Sequence, residues 1–359
     1  DEYEEYKNQA EGVRRAVVSF YKGGYAADIC AEIKSINKIK EYLKQDLQIF
    51  LLASDTIASY MAAEIIKELL IQEGFEVNFN PKHDVLKGLQ VKDKERFINE
   101  GLSKLIRRVD SIAQSIHDGL ASGEDLNSGG SYYGNMIFNI SGGYKACIPY
   151  LTVMAQINGC YMYYIFEDTE ALITIPSVPI SIDTEIFAKY SEEFAELEEG
   201  IEGYNRWKQE HYEFVTQAAS CIEVIDDLAL LSPLGIILWA NYNDRYVNFF
   251  TTTKVIKKIE NNRILIEKVL KFMHKKIRDN KTEIKGVGSS KPFIYDDGNN
   301  NYRIKYRDIK GKIYICEVFD RESDQIKDIE DPAKSRDIQD YDFIHCSIDR
   351  ATMKINYKD

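Results

Sequence analysis

Apolar and polar positions along the first half of the chain switch between two periods. Residues 1–47 are charged with apolar positions at helical spacing, including "AADICAEIKSINKIKEYL". "LQIFLLAS" at 47–54 is a continuous apolar run that predicts a strand buried on both faces, as in a parallel sheet. "SDT" then predicts a helix cap, and Ile57, Met61, Ile65 and Leu69 recur at helical spacing behind it. "GFEVNFN" at 74–80 alternates like a short strand, and Phe97, Leu102 and Leu105 share one face of a helix over 93–118. After a loop at 122–134 come a strand at 136–140, a Gly-Gly turn and a helix to about 157. "CYMYYIFED" and "ALITIPSVPISID" read as two further strands. Strands alternating with helices predict an α/β domain with a parallel sheet, ending near residue 182.

The pattern then changes. Residues 183–244 read as an acidic helical connector with a turn at "LSPLG". From 245 to 330, "RYVNFFTTT", two basic helices and the segment "KPFIYDDGNNNYRIKYRDIKGKIYICEVFD" predict the order β-α-α-β-β-β, a small α+β module. Residues 331–359 read as a tail with one apolar island, "YDFIHCSI".

Composition narrows the function classes. The chain has 359 residues and 44% apolar content, enough for two domains with real cores. No run of about 18 apolar residues predicts a membrane span, and the acidic start "DEYEEYKNQ" does not read as a signal peptide. Six scattered cysteines without C-x-x-C fit reduced thiols in a cytoplasm, and five scattered histidines give no metal-ligand spacing. The formal net charge of −12 is uneven: Arg245 to Lys310 holds 17 Lys and Arg against 7 Asp and Glu, whereas Ser191 to Leu230 holds 2 against 11. One basic segment in an acidic chain predicts a local polyanion site, the alternative being a solvated basic helix face.

The first candidate site is "FNISGGYK". Two glycines after a buried strand permit positive φ and close approach, and the helix behind them presents unpaired N–H groups to an anion. Lys145 adds charge, while Asn139 and Ser141 offer neutral donors. Ser54, Asp55 and Thr56 repeat the arrangement at the end of another strand. The turn is neither a Walker A loop nor G-x-G-x-x-G, and tight packing alone would also explain it. The wider stretch "FNISGGYKACIPYLTVMAQINGCYMYYIFEDTEALITIPSVPISID", with "LLASDTIASYMAAEIIKELL" and "GLQVKDKERFINEGLSKLI", resembles CARF domains, the sensors of CRISPR-associated effectors. The resemblance covers about 45–182. It implies a Rossmann-like fold and a homodimer binding one cyclic oligoadenylate, by family tendency cyclic tetra-adenylate, as allosteric activator. The ligand would be lined by Asn139, Ser141, Gly142, Gly143, Lys145, Ser54, Asp55 and Thr56. The family's opening strand and phosphate loop have no counterpart before residue 45; either a natural N-terminus is missing or the helix at 1–44 replaces it.

The second candidate site lies in the basic module. Metal-independent RNA cleavage by 2′-OH attack needs a base, an acid and cations for the phosphorane. The module, with "NYRIKY" and "IYICEVFDRESD", resembles the RelE family of mRNA interferases over about 245–328. That implies an endoribonuclease acting on mRNA, on the ribosome, in a type III CRISPR ancillary effector. Arg303 and Arg321 carry over by motif; Lys281, Glu283 and Lys285 match only as polar residues in the corresponding loop. The family's Tyr or His after the last strand is absent, with Tyr341 or His345 as substitutes from the tail. Two other readings compete. "RWKQEH", with Arg206 and His211, matches the R-x4-H of HEPN ribonucleases, although it sits in the acidic segment. A CARF domain joined to a DNA-binding helical unit, a non-enzymatic regulator, is opposed by the same acidity.

Overall fold

A computed structural model describes residues 2–21, 30–90, 94–120, 132–166, 171–180, 182–279, 293–296, 302–309, 312–319 and 341–357. They fall into two units, one from Asp1–Gly119 and Tyr132–Asn241, the other centred on Tyr242–Asp359. No helix among the described residues is long and apolar enough to cross a membrane.

The first unit begins with α1 (Glu2–Phe20) and α2 (Ala31–Leu43), then β1 (Gln48–Phe50), β2 (Ala53–Ser54), α3 (Ile57–Gln72), β3 (Glu76–Asn78) and β4 (Val85–Leu86). Ile33 and Ile36 of α2 join Ile65, Leu69 and Leu70 of α3 and Phe75 in one core, because the helical period puts them on facing stripes. A π turn (Phe97–Leu102) opens into α4 (Ser103–Leu120), followed by β5 (Ile137–Asn139), α5 (Ile148–Ile157), β6 (Tyr161–Ile165) and β7 (Leu172–Ile175). The alternation of strands and helices is as expected, and among the described residues the strands pair in small parallel and mixed sheets. β1 pairs parallel with β3, β2 with β4 and β5 with β6, whereas β7 runs antiparallel to β6. Only a few residues separate β6 from β7, too few for the crossover that a parallel return needs.

The stretch from 185, read as helical, is mixed. Short helices α6 (Glu185–Lys189) and α7 (Ser191–Glu199) lead to β8 (Ile201–Glu202), α8 (Tyr204–Glu210), α9 (Tyr212–Gln217), β9 (Ile222–Ile225), β10 (Leu228–Leu231) and α10 (Pro233–Arg245). The three strands form an antiparallel sheet, and Asp226 turns the β9–β10 hairpin with φ 56. An Asp at positive φ in a two-residue loop is the turn that strand twist favours. The helices enclose an aromatic core in which Phe194 stacks on Trp239 at 5.4 Å.

The second unit runs β11 (Tyr246–Thr252), α11 (Thr253–Ile259), α12 (Arg263–Asp279), β12 (Phe293–Asp296), β13 (Arg303–Ile309) and β14 (Lys312–Phe319). That is the strand–helix–helix–three-strand order the sequence predicts. The residues read as a tail then supply β15 (Phe343–Asp349) and β16 (Lys354–Tyr357), and the sheet order is β12-β13-β14-β11-β15-β16. Val247 and Phe249 on one face of β11 meet Val255, Ile256 and Ile259 of α11 and Leu265, Val269 and Phe272 of α12. Arg245 donates to Asp349 at 2.9 Å, and the N–H groups of Ala351 and Thr352 donate to the same carboxylate.

Two outcomes follow for stability. Phe272 is fully buried with its ring 4.6 Å from that of Tyr306, so Phe272→Ala should cost about 3–5 kcal/mol in urea unfolding. Burial works to raise the pKa of Asp349, but its hydrogen bonds from Arg245 and the backbone outweigh burial and hold it below the ordinary carboxylate range. A depressed folded pKa contributes stability that is present above the unfolded value, about 3.9, and lost as pH falls through the folded one. Asp349→Asn should therefore be less stable than the parent at neutral pH, and the gap in melting temperature should narrow as pH drops below about 4.

Candidate functional site

The Gly-Gly turn is built from the end of β5. Asn139 Oδ1 accepts from the N–H of Ser141 at 3.2 Å, closing a local turn, and its Nδ2 donates to Ser35 Oγ of α2 at 2.7 Å. Ser141 Oγ accepts from the N–H of Ile165 at 3.0 Å, which ties the turn to the end of β6. Asn139 and Ser141 therefore shape the turn and keep spare donor capacity for a ligand. Gly142 to Ala146 are exposed, Gly143 has φ 89, and a 3-10 turn from Lys145 leads into α5 with Pro149 in its first turn. The outcome is a solvent-facing glycine turn aimed along a helix N-terminus, a setting that favours anions.

A carboxylate already stands there. A Cβ on Gly142 would run into Oε1 of Glu32, whose other oxygen accepts from Cys30 Sγ at 3.3 Å. Burial first, and then the Glu32 charge, push the Cys30 thiol up to about 11. Neither Glu32 nor Ser35 was foreseeable from the motif, because both reach the turn from α2, far away in sequence.

Ser54, Asp55 and Thr56 form a second network. Thr56 caps α3 by accepting from the N–H of Ser59 at 3.2 Å, and Ser54, 2% exposed, lies 3.2 Å from the Thr56 hydroxyl. The Asp55 carboxylate accepts from the N–H of Gly88 at 3.1 Å and from Gln90 at 2.8 Å, with the Arg96 guanidinium at 3.8 Å. Asp55 therefore organises the loop after β4. Gly88, Gln90 and Arg96 lie in the stretch "GLQVKDKERFINEGLSKLI", but nothing in the sequence assigned them to Asp55.

In the second unit, Ile304 and Tyr306 of β13 point into the core, so alternation puts Arg303, Lys305 and Arg307 on the face away from the helices. Arg303 is 5% exposed and in register with Asp296 and Phe319. Lys281, Glu283, Lys285 and Arg321 lie outside the described residues. His345 shares the outer face, since it pairs with Phe250, which pairs with Tyr314, which pairs with Arg307. Arg303 lies four positions along β13 from that row and three strands from β15, on the order of 20 Å from His345. One phosphodiester cannot be served by both, because an acid or base must sit within hydrogen-bond reach. Arg206 and His211 also diverge: Arg206 pairs with Glu210 at 3.3 Å, while His211 stacks on Trp207 at 4.3 Å and its Nδ1 lies 3.0 Å from the Trp207 carbonyl. The chain breaks between α8 and α9 at His211, unlike a long catalytic helix.

The two glycines should respond differently to substitution. Gly143→Ala forces a side chain into the left-handed region and should lower stability by about 1–2 kcal/mol. Gly142→Ala meets the Glu32 side chain from its carboxylate back to Cγ, so most of its cost should vanish in a Glu32→Ala background, measured as a double-mutant cycle of melting temperatures.

Residues 27–178 match the model of a family described as CRISPR-associated protein (Cas_APE2256). No curated protein matches the chain. The matched region covers less than half of the chain, contains both polar turns, and supports a CRISPR-related role.

Proposed function

We propose that the chain is a CRISPR-linked sensor and effector: the 139–145 turn takes an anionic signal nucleotide, and the C-terminal unit cuts RNA. The observation that carries the first half is an exposed glycine turn leading into a helix N-terminus, inside the region that matches a CRISPR-associated family. Backbone N–H groups of the turn and the Lys145 ammonium would receive phosphates of a cyclic oligoadenylate, with cyclic tetra-adenylate the first ligand to try. A cyclic ligand with repeated phosphates suits a homodimer that offers the turn twice. The Glu32 carboxylate stands over Gly142, so an approaching phosphate has to displace it.

The strand–helix–helix–three-strand order of the second unit and its basic sequence support the effector half. The reaction would be attack of an RNA 2′-OH on its own phosphate, with Arg303 supplying positive charge to the phosphorane. The substrate would be mRNA, on the ribosome. Activation is a population shift: the ligand binds one state of the dimer better and so raises the competent fraction.

RNA or translating ribosomes incubated with and without cyclic oligoadenylates of several ring sizes should show cleavage that rises with one of them. Lys145→Ala should weaken ligand binding and leave basal cleavage unchanged, whereas Glu32→Gln should tighten binding severalfold by removing a like charge. Arg303→Ala should abolish cleavage, with Arg303→Lys keeping part of it in a folded protein. Cleavage lost in His211→Ala and kept in Arg303→Ala would transfer the chemistry to Arg206 and His211. An absence of cleavage with every ring size would sink the reading.

A further inference from the structure

The helix that buries Leu105 and Val109 is wound unevenly. It starts at Lys94–Arg96, passes through the π turn at Phe97–Leu102 and continues as α4. A π turn holds one residue more than an α turn, so Phe97 and Leu102 are both buried although five positions apart. In a straight α-helix the residue aligned with Leu102 would stand four positions before it, which is Ile98. Ile98 is already half-buried. The pair Phe97-Ile98 therefore offers an apolar side chain to the same seat in either winding, and the apolar pattern does not choose between them.

What the π turn holds is the loop after β4. Gly101 packs so closely on Gly88 that a Cβ there would run into the Gly88 carbonyl. The Gly88 N–H and the Gln90 amide donate to the two oxygens of Asp55. Arg96 stands 3.8 Å from the same carboxylate and donates to Glu100 at 2.9 Å, and Glu100 also pairs with Lys104 of α4. Asp55 is thus covered by a strap, residues 86–90, and clasped by the lead of the helix. Arg108 anchors α4 on Asp84, a carboxylate 3% exposed, at 2.7 Å. With α4 anchored and its apolar side buried, the lead at 94–96 is the part free to shift.

We propose that the π turn is a register switch for a lid over the Asp55 turn, closed in the present winding. Relaxation to α winding slips the lead by one residue, about 100° and 1.5 Å. Ile98 then takes the seat of Phe97, and Arg96 is carried off Asp55. The strap loses its clasp, and the carboxylate regains acceptor positions that Gly88 and Gln90 now occupy. A sugar hydroxyl of a bound nucleotide is the donor they would receive. The proposal rests on the reading of the first unit as a nucleotide sensor and adds the step that admits the ligand to the second polar turn.

The test uses the full chain and two variants that push the switch in opposite directions. Deletion of Asn99 removes the extra residue, so a regular α-helix forms with Arg96, Phe97 and Leu102 left in place and the lid shut. Arg96→Gln keeps the winding and removes the charge of the clasp. Hydrogen exchange at the Gly88 amide should slow about tenfold in the deletion variant, and cyclic tetra-adenylate should bind about tenfold more weakly, because the open fraction sets the apparent affinity. In Arg96→Gln the amide should exchange faster and binding should tighten severalfold. Faster exchange without tighter binding makes the arginine merely structural and overturns the clasp. Weaker binding with unchanged exchange makes Arg96 a ligand contact and overturns it too. Equal exchange in the parent and the folded deletion variant overturns the switch; should the deletion variant fail to fold, the two readings on Arg96→Gln decide. Exchange that responds as expected while the parent binds no cyclic tetra-adenylate keeps the switch and loses the nucleotide reading. Binding that is the same in the parent and both variants keeps the nucleotide reading and loses the lid.

Discussion

The pairing of β11 with β15 holds the C-terminal unit together. β11 lies inside the sheet, between β14 and β15, and carries the apolar side chains that seat both helices, so its backbone groups need partners on both edges. β14 supplies one edge, parallel, over a short stretch, and β15 supplies the other through seven residue pairs from Tyr246–Asp349 to Thr252–Phe343. A slip of one residue would turn Val247 and Phe249 outward and carry Phe250 into the core. The aromatic row on the outer face, the Arg245–Asp349 ion pair and the core are thus set by one register.

Much of this unit was legible in sequence because its signals are local. "RYVNFF" alternates, the two basic helices keep their apolar stripes, and "DDGNN" and "DIKGK" break the strands. β15 was not legible as a sheet member, since an apolar island at the end of a chain says nothing about a partner a hundred residues away. The hairpin at Asp226 was missed for another reason: its strands are short, and the surrounding acidic helices set the apparent period. The Gly-Gly turn was readable from its glycines, but its closest supports were not. Asn139 meets Ser35 across 104 positions, and no spacing rule connects them.

The two polar turns of the first unit share an electrostatic design. Each joins the end of a strand to a helix N-terminus, and each holds a carboxylate nearby, Glu32 at one and Asp55 at the other. A fixed negative charge lowers the affinity of such a turn for any small anion. It also raises the selectivity, because only a ligand with further contacts can overcome the repulsion. Asp55 differs from Glu32 in having a guanidinium 3.8 Å away, so its charge is partly offset while that of Glu32 stands over bare glycine.

The distance along the chain between β11 and β15 also sets a timetable. β11 is made early in the unit, and the strand that covers its open edge follows about a hundred residues later. Contacts of that separation form late, after local helices and hairpins. During synthesis the unit therefore holds an edge of unpaired backbone groups until β15 has emerged, and a chain cut short before Phe343 would leave that edge open to strand pairing with other chains. Emergence of β15 is thus a condition for assembling the outer face at all, a delay built into the topology of this unit.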